Sequence, residues 1–263
     1  RVVKSVDPTR PITYEADLDP GGEAHVLGLH YPYEFPDQQV WPNAAYWMDQ
    51  FIARDWIPGG QWRWDRSKPL YIGEFLWVPG TSAQNFTILF GDDAYFDPGY
   101  YRNQSKAQTW RMAVEAYRSY GVNGICPWTM FEDPAVIDSG GNFDLNPGSN
   151  TLYQAQKAAY HPNAVFVEEY SPRFFAAETA TRNFRVYNDR LVSGNMTLQW
   201  RAGAGAWQSR SFTMQPADRR RETVTLEVPA SAGPFALETR MTDGTNVVFS
   251  NSLACAALPR PTL

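Results

Sequence analysis

The chain has 263 residues, 43% of them hydrophobic and 15% aromatic, and a formal net charge of −5. That length holds one large domain or two ordinary ones, and that composition can fill a real core. The negative balance excludes a basic field for nucleic acid or for an anionic membrane surface, and no apolar run reaches the length of a membrane span.

Ten Trp and fourteen Tyr are a heavy aromatic load. Most must fill the core, but aromatic rings also form the stacking walls of sugar-binding clefts. Cys126 and Cys255 lie far apart and make neither a disulfide framework nor a metal-type spacing. Cys126 falls in an apolar strand pattern and is expected to be a buried free thiol. Arg219, Arg220 and Arg221 stand beside Asp218 and Glu222 and read as a solvated turn.

The chain opens with "RVVKSVDPTRP", which lacks a Met and reads like the end of a helix, so an upstream part of the same protein is expected. Strand and helix patterns then alternate to about residue 162. "PITYEAD" (11–17), "AHVLGLH" (24–30), "PLYIGEF" (69–75) and "VNGICPW" (122–128) are strand candidates. Helical candidates run from Asn43 to Asp55, from Ser105 to Tyr120 and from Thr151 to Tyr160. In the second of these, Ala107, Trp110, Val114 and Tyr117 recur at helical steps and Gly121 supplies a stop. This α/β rhythm ends each strand in polar or aromatic residues: Glu15 and Asp17, His30 and Tyr31, Glu74, then Trp128. In a parallel α/β barrel such ends converge on one face, where chemistry is done. Four units make the second half of a (β/α)8 TIM barrel. Half a barrel leaves open sheet edges, so the missing N-terminal half is an expected partner.

From about Asn163 the period becomes two. Met196, Leu198 and Trp200 alternate with polar residues, as do Val224, Leu226 and Val228, and then Phe235, Leu237 and Met241 opposite Glu238 and Arg240. About seven such strands between turns predict an immunoglobulin-like β-sandwich over residues 163–263.

The stretch "KPLYIGEFLWVPG" (68–80) ends an apolar strand on one carboxylate, Glu74, set among aromatics. "KPLYIGEF" resembles strand seven of clan A retaining glycoside hydrolases, close to a pattern of families 2 and 5, where the glutamate is the nucleophile. "DPTRPITYE" (7–15) is similar to the segment leading into strand five of family 2 enzymes. "LHYP" (29–32) resembles the end of strand six, and "NGICPWTMFED" (123–133) strand eight with its Trp. "LYQAQKAAYHP" (152–162) looks like the last barrel helix, and "FRVYNDRL" (184–191) followed by "LQW" (198–200) like the sandwich that follows it. The segments occur in the family's order along nearly the whole chain.

The resemblance implies a retaining β-glycosidase acting on carbohydrate, with no cofactor or metal. A homo-oligomer is compatible with it. It implies Glu74 as nucleophile and places an acid/base glutamate upstream of Arg1, since Glu15, Glu34 and Glu132 lack the matching context. The chain alone would then be inactive. Such chemistry needs two carboxyl groups roughly 5–5.5 Å apart across the scissile bond. The nucleophile must stay ionised, so it needs hydrogen-bond donors nearby. Tyr31 and His30 can supply them or bind sugar hydroxyls, Trp128 can floor the pyranose, and Trp77 and Glu132 are further substrate contacts. Each has a structural alternative: an N-cap or a salt bridge for Glu74, a satisfied strand-end group for His30, core filling for Trp128, packing under a neighbouring loop for Trp77, capping for Glu132 and Asp133. Asp92, Asp93 and Asp97 have the look of a calcium loop, but an exposed acidic loop is commoner. A non-catalytic carbohydrate-binding or scaffold protein is the alternative function, and Gln in place of Glu74 would have favoured it. A serine esterase would need a G-x-S-x-G elbow, which is absent.

Overall fold

The computed structural model describes residues 2–13, 22–30, 52–53, 61–62, 64–75, 87, 89–127, 151–169 and 171–261. The chain divides into two compact units, Arg1–Tyr160 and His161–Leu263. The first unit contains α1 (Val2–Val6), β1 (Leu27–His30), β2 (Ile52–Ala53), β3 (Gln61–Trp62), β4 (Leu70–Phe75), α2 (Asp92–Phe96), α3 (Pro98–Tyr120), β5 (Gly124–Pro127) and α4 (Thr151–Ala159).

Three strands form a parallel sheet in the order β1-β4-β5. A parallel bridge from Thr13 to Val26 extends it beyond β1. The helix α3 and one face of this sheet share a core. Leu29, Leu70, Ile72 and Phe75 from the strands meet Trp110, Ala113, Val114 and Tyr117 from the helix. The periodic set expected of this helix is buried, with Ala107, Trp110, Val114 and Tyr117 each 5% exposed or less. The helix begins seven residues before its expected start, because Asp97 caps it and Pro98 sits at its first turn. Gly121, at φ 82°, ends it in the left-handed region, and the Val122 amide reaches back to the Tyr117 carbonyl at 3.1 Å. Arg118, itself buried, donates to the Ala159 carbonyl at 2.5 Å and so closes the C-terminus of α4.

Three expectations are corrected here. Ile52 and Ala53 were expected within a helix over 43–55, but they form the short strand β2, paired antiparallel with β3. The intervening "PGG" (58–60) suits a chain reversal, and a reversal favours strand pairing over helix. The rest of that candidate helix lies outside the described residues. Cys126 is exposed, not buried. It alternates with Ile125, which packs against the core, and so faces away from α3. Arg219, Arg220 and Arg221 lie in a strand, not a turn.

The second unit is built of β6 (Asn163–Val167), β7 (Arg173–Phe175), β8 (Thr179–Asn188), β9 (Gly194–Ala202), β10 (Gln208–Met214), β11 (Asp218–Glu227), β12 (Gly233–Asp243) and β13 (Asn246–Leu258). A five-stranded sheet runs β10-β9-β12-β13-β7 and a three-stranded sheet runs β11-β8-β6. Pairing is antiparallel except between β13 and β7. The sheets share one core, in which Phe184 and Val186 of β8 join Met196, Leu198 and Trp200 of β9 and Met241 of β12. Phe184 meets Trp200 edge-on at 6.2 Å. This is a β-sandwich, with eight strands among the described residues rather than about seven.

The arginine run went unread as strand because β11 is an edge. Its outward positions carry charge, which protects an edge from mispairing. Glu222, 6% exposed, lies inward under Arg210 and Arg220, whose guanidinium groups approach it at 2.6 and 3.0 Å.

Candidate active site

The strand that carries Glu74 is fixed first at its entry. The Trp64 indole is buried and donates to the Lys68 carbonyl at 3.0 Å, while the Arg66 guanidinium lies 4.6 Å over its ring. The Lys68 ammonium donates to the Gly22 carbonyl at 3.0 Å. Asn123 ties β4 to β5. Its amide donates to the Leu70 carbonyl at 2.9 Å, and its side-chain oxygen accepts from the Leu70 amide at 3.1 Å. Leu70 and Ile72, both 0% exposed, then hold the strand on α3.

At the exit of the strand, Phe75 is also 0% exposed and meets Tyr117 edge-on at 5.4 Å. Glu74, one residue earlier, is half-buried. It stands opposite His30, the last residue of β1, in the parallel register. Adjacent strands lie roughly 4.8 Å apart, so the backbones of these two residues are neighbours at the C-terminal edge of the sheet. Of the site residues expected from sequence, these two are brought together. Tyr31, Trp77, Trp128 and Glu132 lie outside the described residues, as do Glu15, Glu34 and Asp133.

The register is interrupted at the site. Leu29 pairs with Ile72, yet His30 pairs with Glu74. On the other flank Ile72 pairs with Ile125, yet Phe75 pairs with Pro127. The local sequence marks this interruption only weakly. The one available signal was Gly73, since a glycine inside a strand often marks a bulge.

The sheet face turned away from α3 carries Tyr71, whose ring lies over Gly124; a Cβ added there would stand 2.6 Å from Tyr71 Cδ2. The Tyr160 hydroxyl donates to the Ile125 carbonyl at 3.0 Å. Burial pushes its pKa far up, with Cys126 and Tyr71 adding to the shift, so it is a neutral donor. A cleft of 310 Å³ opens on this face, lined by Ile12, Val26, Pro69, Tyr71 and Gly124 among others. It sits at the entry end of the strands, roughly four residues and 13 Å from Glu74, and is not the candidate site.

The suspected calcium loop is used otherwise. Asp92 and Asp93 open α2, and the Asp97 carboxylate accepts from the Tyr100 amide at 3.2 Å as the cap of α3. Among the described residues no group of three or more His, Cys, Asp and Glu is placed to hold a metal ion. Nor is any helix among them long and apolar enough to cross a membrane.

No protein-family model matches the chain, and none of the curated proteins matches it. Among solved structures, a CARDB domain from Pyrococcus furiosus, in complex with di-metal ions, is similar over 36% of this chain and 89% of its own. The identity is 10% and the TM-score 0.32. A β-D-mannosidase from Dictyoglomus thermophilum is similar over 63% of this chain and 20% of its own, at 12% identity and a TM-score of 0.46. A β-glucuronidase from glycoside hydrolase family 2 is similar over 37% and 11%, at 11% identity and a TM-score of 0.27. The chain therefore spans a fifth or less of the length of these two enzymes. At such scores none of the three assigns a fold or an activity to this chain.

Proposed function

We propose that this chain is part of a retaining β-glycosidase that cleaves O-glycosidic bonds through a covalent glycosyl-enzyme intermediate. Glu74 is the nucleophile. The observation that carries the reading is the placement of Glu74: a half-buried carboxylate at the C-terminal edge of a parallel sheet, opposite His30, on a strand whose other end and flank are locked into the core. In parallel α/β architectures that edge is where reacting groups gather.

In the proposed reaction the Glu74 carboxylate attacks the anomeric carbon as the glycosidic oxygen departs with a proton from a second carboxyl group. Water, deprotonated by that second group, then displaces Glu74 from the sugar. The second group belongs to a part of the protein upstream of this chain. Residues 1–162 act as the second half of a TIM barrel completed by that part, and residues 163–263 as an immunoglobulin-like domain that follows it in sequence. His30 and Tyr31 donate hydrogen bonds to the nucleophile or to sugar hydroxyls, Trp128 and Trp77 stack on the sugar, and Glu132 accepts from its hydroxyls. The substrate class is a β-linked carbohydrate.

The test is covalent trapping. An activated 2-deoxy-2-fluoro glycoside slows the second step, and the intermediate accumulates. The label is expected on the peptide that contains Glu74. A label on another carboxylate, with Glu74 unmodified, overturns the assignment.

A further inference from the structure

We infer that Gly73 is a positioning residue: it is the extra residue of a β-bulge that aims Glu74 at the reacting carbon. The inference rests on Glu74 as nucleophile. Between Ile72 and the next shared rung, β4 uses two steps where β1 uses one, from Leu29 to His30. Against β5 it uses three steps where its neighbour uses two, from Ile125 to Pro127. Both flanks see the same surplus, so the extra residue belongs to β4.

The burial pattern shows what the surplus does. Leu70 and Ile72 face α3. Under unbroken alternation Glu74 would face it too, and Phe75 would turn away. Instead Phe75 is 0% exposed against Tyr117, and Glu74 is half-buried. Gly73 and Glu74 together occupy the interval between two core-facing residues.

Packing alone does not call for this. A strand one residue shorter, reading Ile-Glu-Phe, would alternate without a bulge. It would still place the aromatic in the core, and it would still set the carboxylate opposite His30 and the aromatic opposite Pro127. The surplus residue therefore changes only the direction and height of the Glu74 side chain relative to its neighbours. Bulges are rare in parallel pairs and are found beside active sites, where they re-aim a side chain.

Two variants test this in the polypeptide that also carries the acid/base group, beside Glu74→Gln as control. One deletes Gly73. The other exchanges the two residues, Gly73→Glu with Glu74→Gly, and so keeps chain length and composition. The readouts are kcat and KM on the 4-nitrophenyl glycoside that the unaltered protein turns over fastest, and the thermal midpoint. Both variants are expected to unfold cooperatively within a few degrees of the parent. Their kcat is expected to fall at least tenfold with KM within threefold, a split that a merely structural change would not give. A kcat above one tenth of the parent's in either folded variant overturns the inference. Failure of both variants to fold also overturns it, because the bulge would then serve packing. Near-normal turnover by Glu74→Gln overturns the nucleophile itself. A dead Glu74→Gln beside an active deletion overturns the positioning role alone.

Discussion

His30 stands opposite Glu74 where the parallel strands β1 and β4 end, one step beyond the point at which their register slips. The pairing makes the two residues backbone neighbours at the edge proposed for chemistry, and it gives His30 a testable part in the reaction. A hydrogen bond to a charged group is worth about 1.5–3 kcal/mol. His30→Ala is therefore expected to lower kcat/KM by roughly tenfold to hundredfold. The thermal midpoint is expected to stay within a few degrees of the parent's. Steady-state kinetics with a melting curve checks this. Unchanged kinetics would leave His30 a structural residue.

Gly124 is the next position with a sharp expectation. A methyl group there would meet the Tyr71 ring at 2.6 Å, well inside contact distance. Gly124→Ala should cost about 1–3 kcal/mol as the ring is displaced. Adding Tyr71→Ala should recover part of the loss. A double-mutant cycle by urea denaturation measures the coupling, and additive effects would show that the ring moves aside freely.

Much of this architecture was legible in the sequence because its signals are local. The α3 stripe of Ala107, Trp110, Val114 and Tyr117, and the alternation of Met196, Leu198 and Trp200, are periodicities, and each became a buried face. Other features were not legible, each for a physical reason. The exposure of Cys126 depends on which face of its sheet α3 covers, a tertiary choice that the apolar strand does not encode. The arginine run of β11 hid an edge strand, since outward edge positions favour charge over the apolar alternation that marks a strand. The bulge at Gly73 is a relation among three strands. Only the pairing with both neighbours reveals it; a glycine in a strand does not by itself.

In the sandwich, the "YND" stretch (187–189) has a structural explanation in Asn188, which is 0% exposed. Its side-chain nitrogen donates to the Val192 and Gln215 carbonyls at 2.9 and 3.0 Å. Its oxygen accepts from the Asn163 side chain and the Arg190 guanidinium, each at 3.2 Å. Asn188→Ala would leave two carbonyls and the buried Asn163 amide without these bonds, at a cost of about 2–4 kcal/mol. Equilibrium unfolding followed by Trp fluorescence measures it. A loss below about 0.5 kcal/mol would mean that water replaces the side chain.

Glu222 makes the sandwich sensitive to acid. Burial raises its carboxyl pKa, but hydrogen bonds from Arg210 and Arg220 outweigh that and hold it below the usual range. A depressed folded-state pKa adds stability above the unfolded value of about 4.3, and that stability is lost as pH falls through the lower folded value. Glu222→Gln is therefore expected to cost about 1 kcal/mol at pH 7. The difference from the parent should shrink below about pH 4. Urea midpoints at several pH values test the sign, and a gap that widens in acid would contradict it.

The central claim is that Glu74 forms the bond to the sugar, and chemical rescue of Glu74→Gly tests it most directly. The variant, in the polypeptide with its acid/base group, should turn over an activated aryl glycoside slower than the parent by several orders of magnitude, a barrier increase on the order of several kcal/mol. Azide, small enough to enter the vacated space, should restore turnover and yield a glycosyl azide of inverted anomeric configuration. Near-normal turnover by the variant without azide would contradict the account and leave Glu74 a structural strand-end carboxylate.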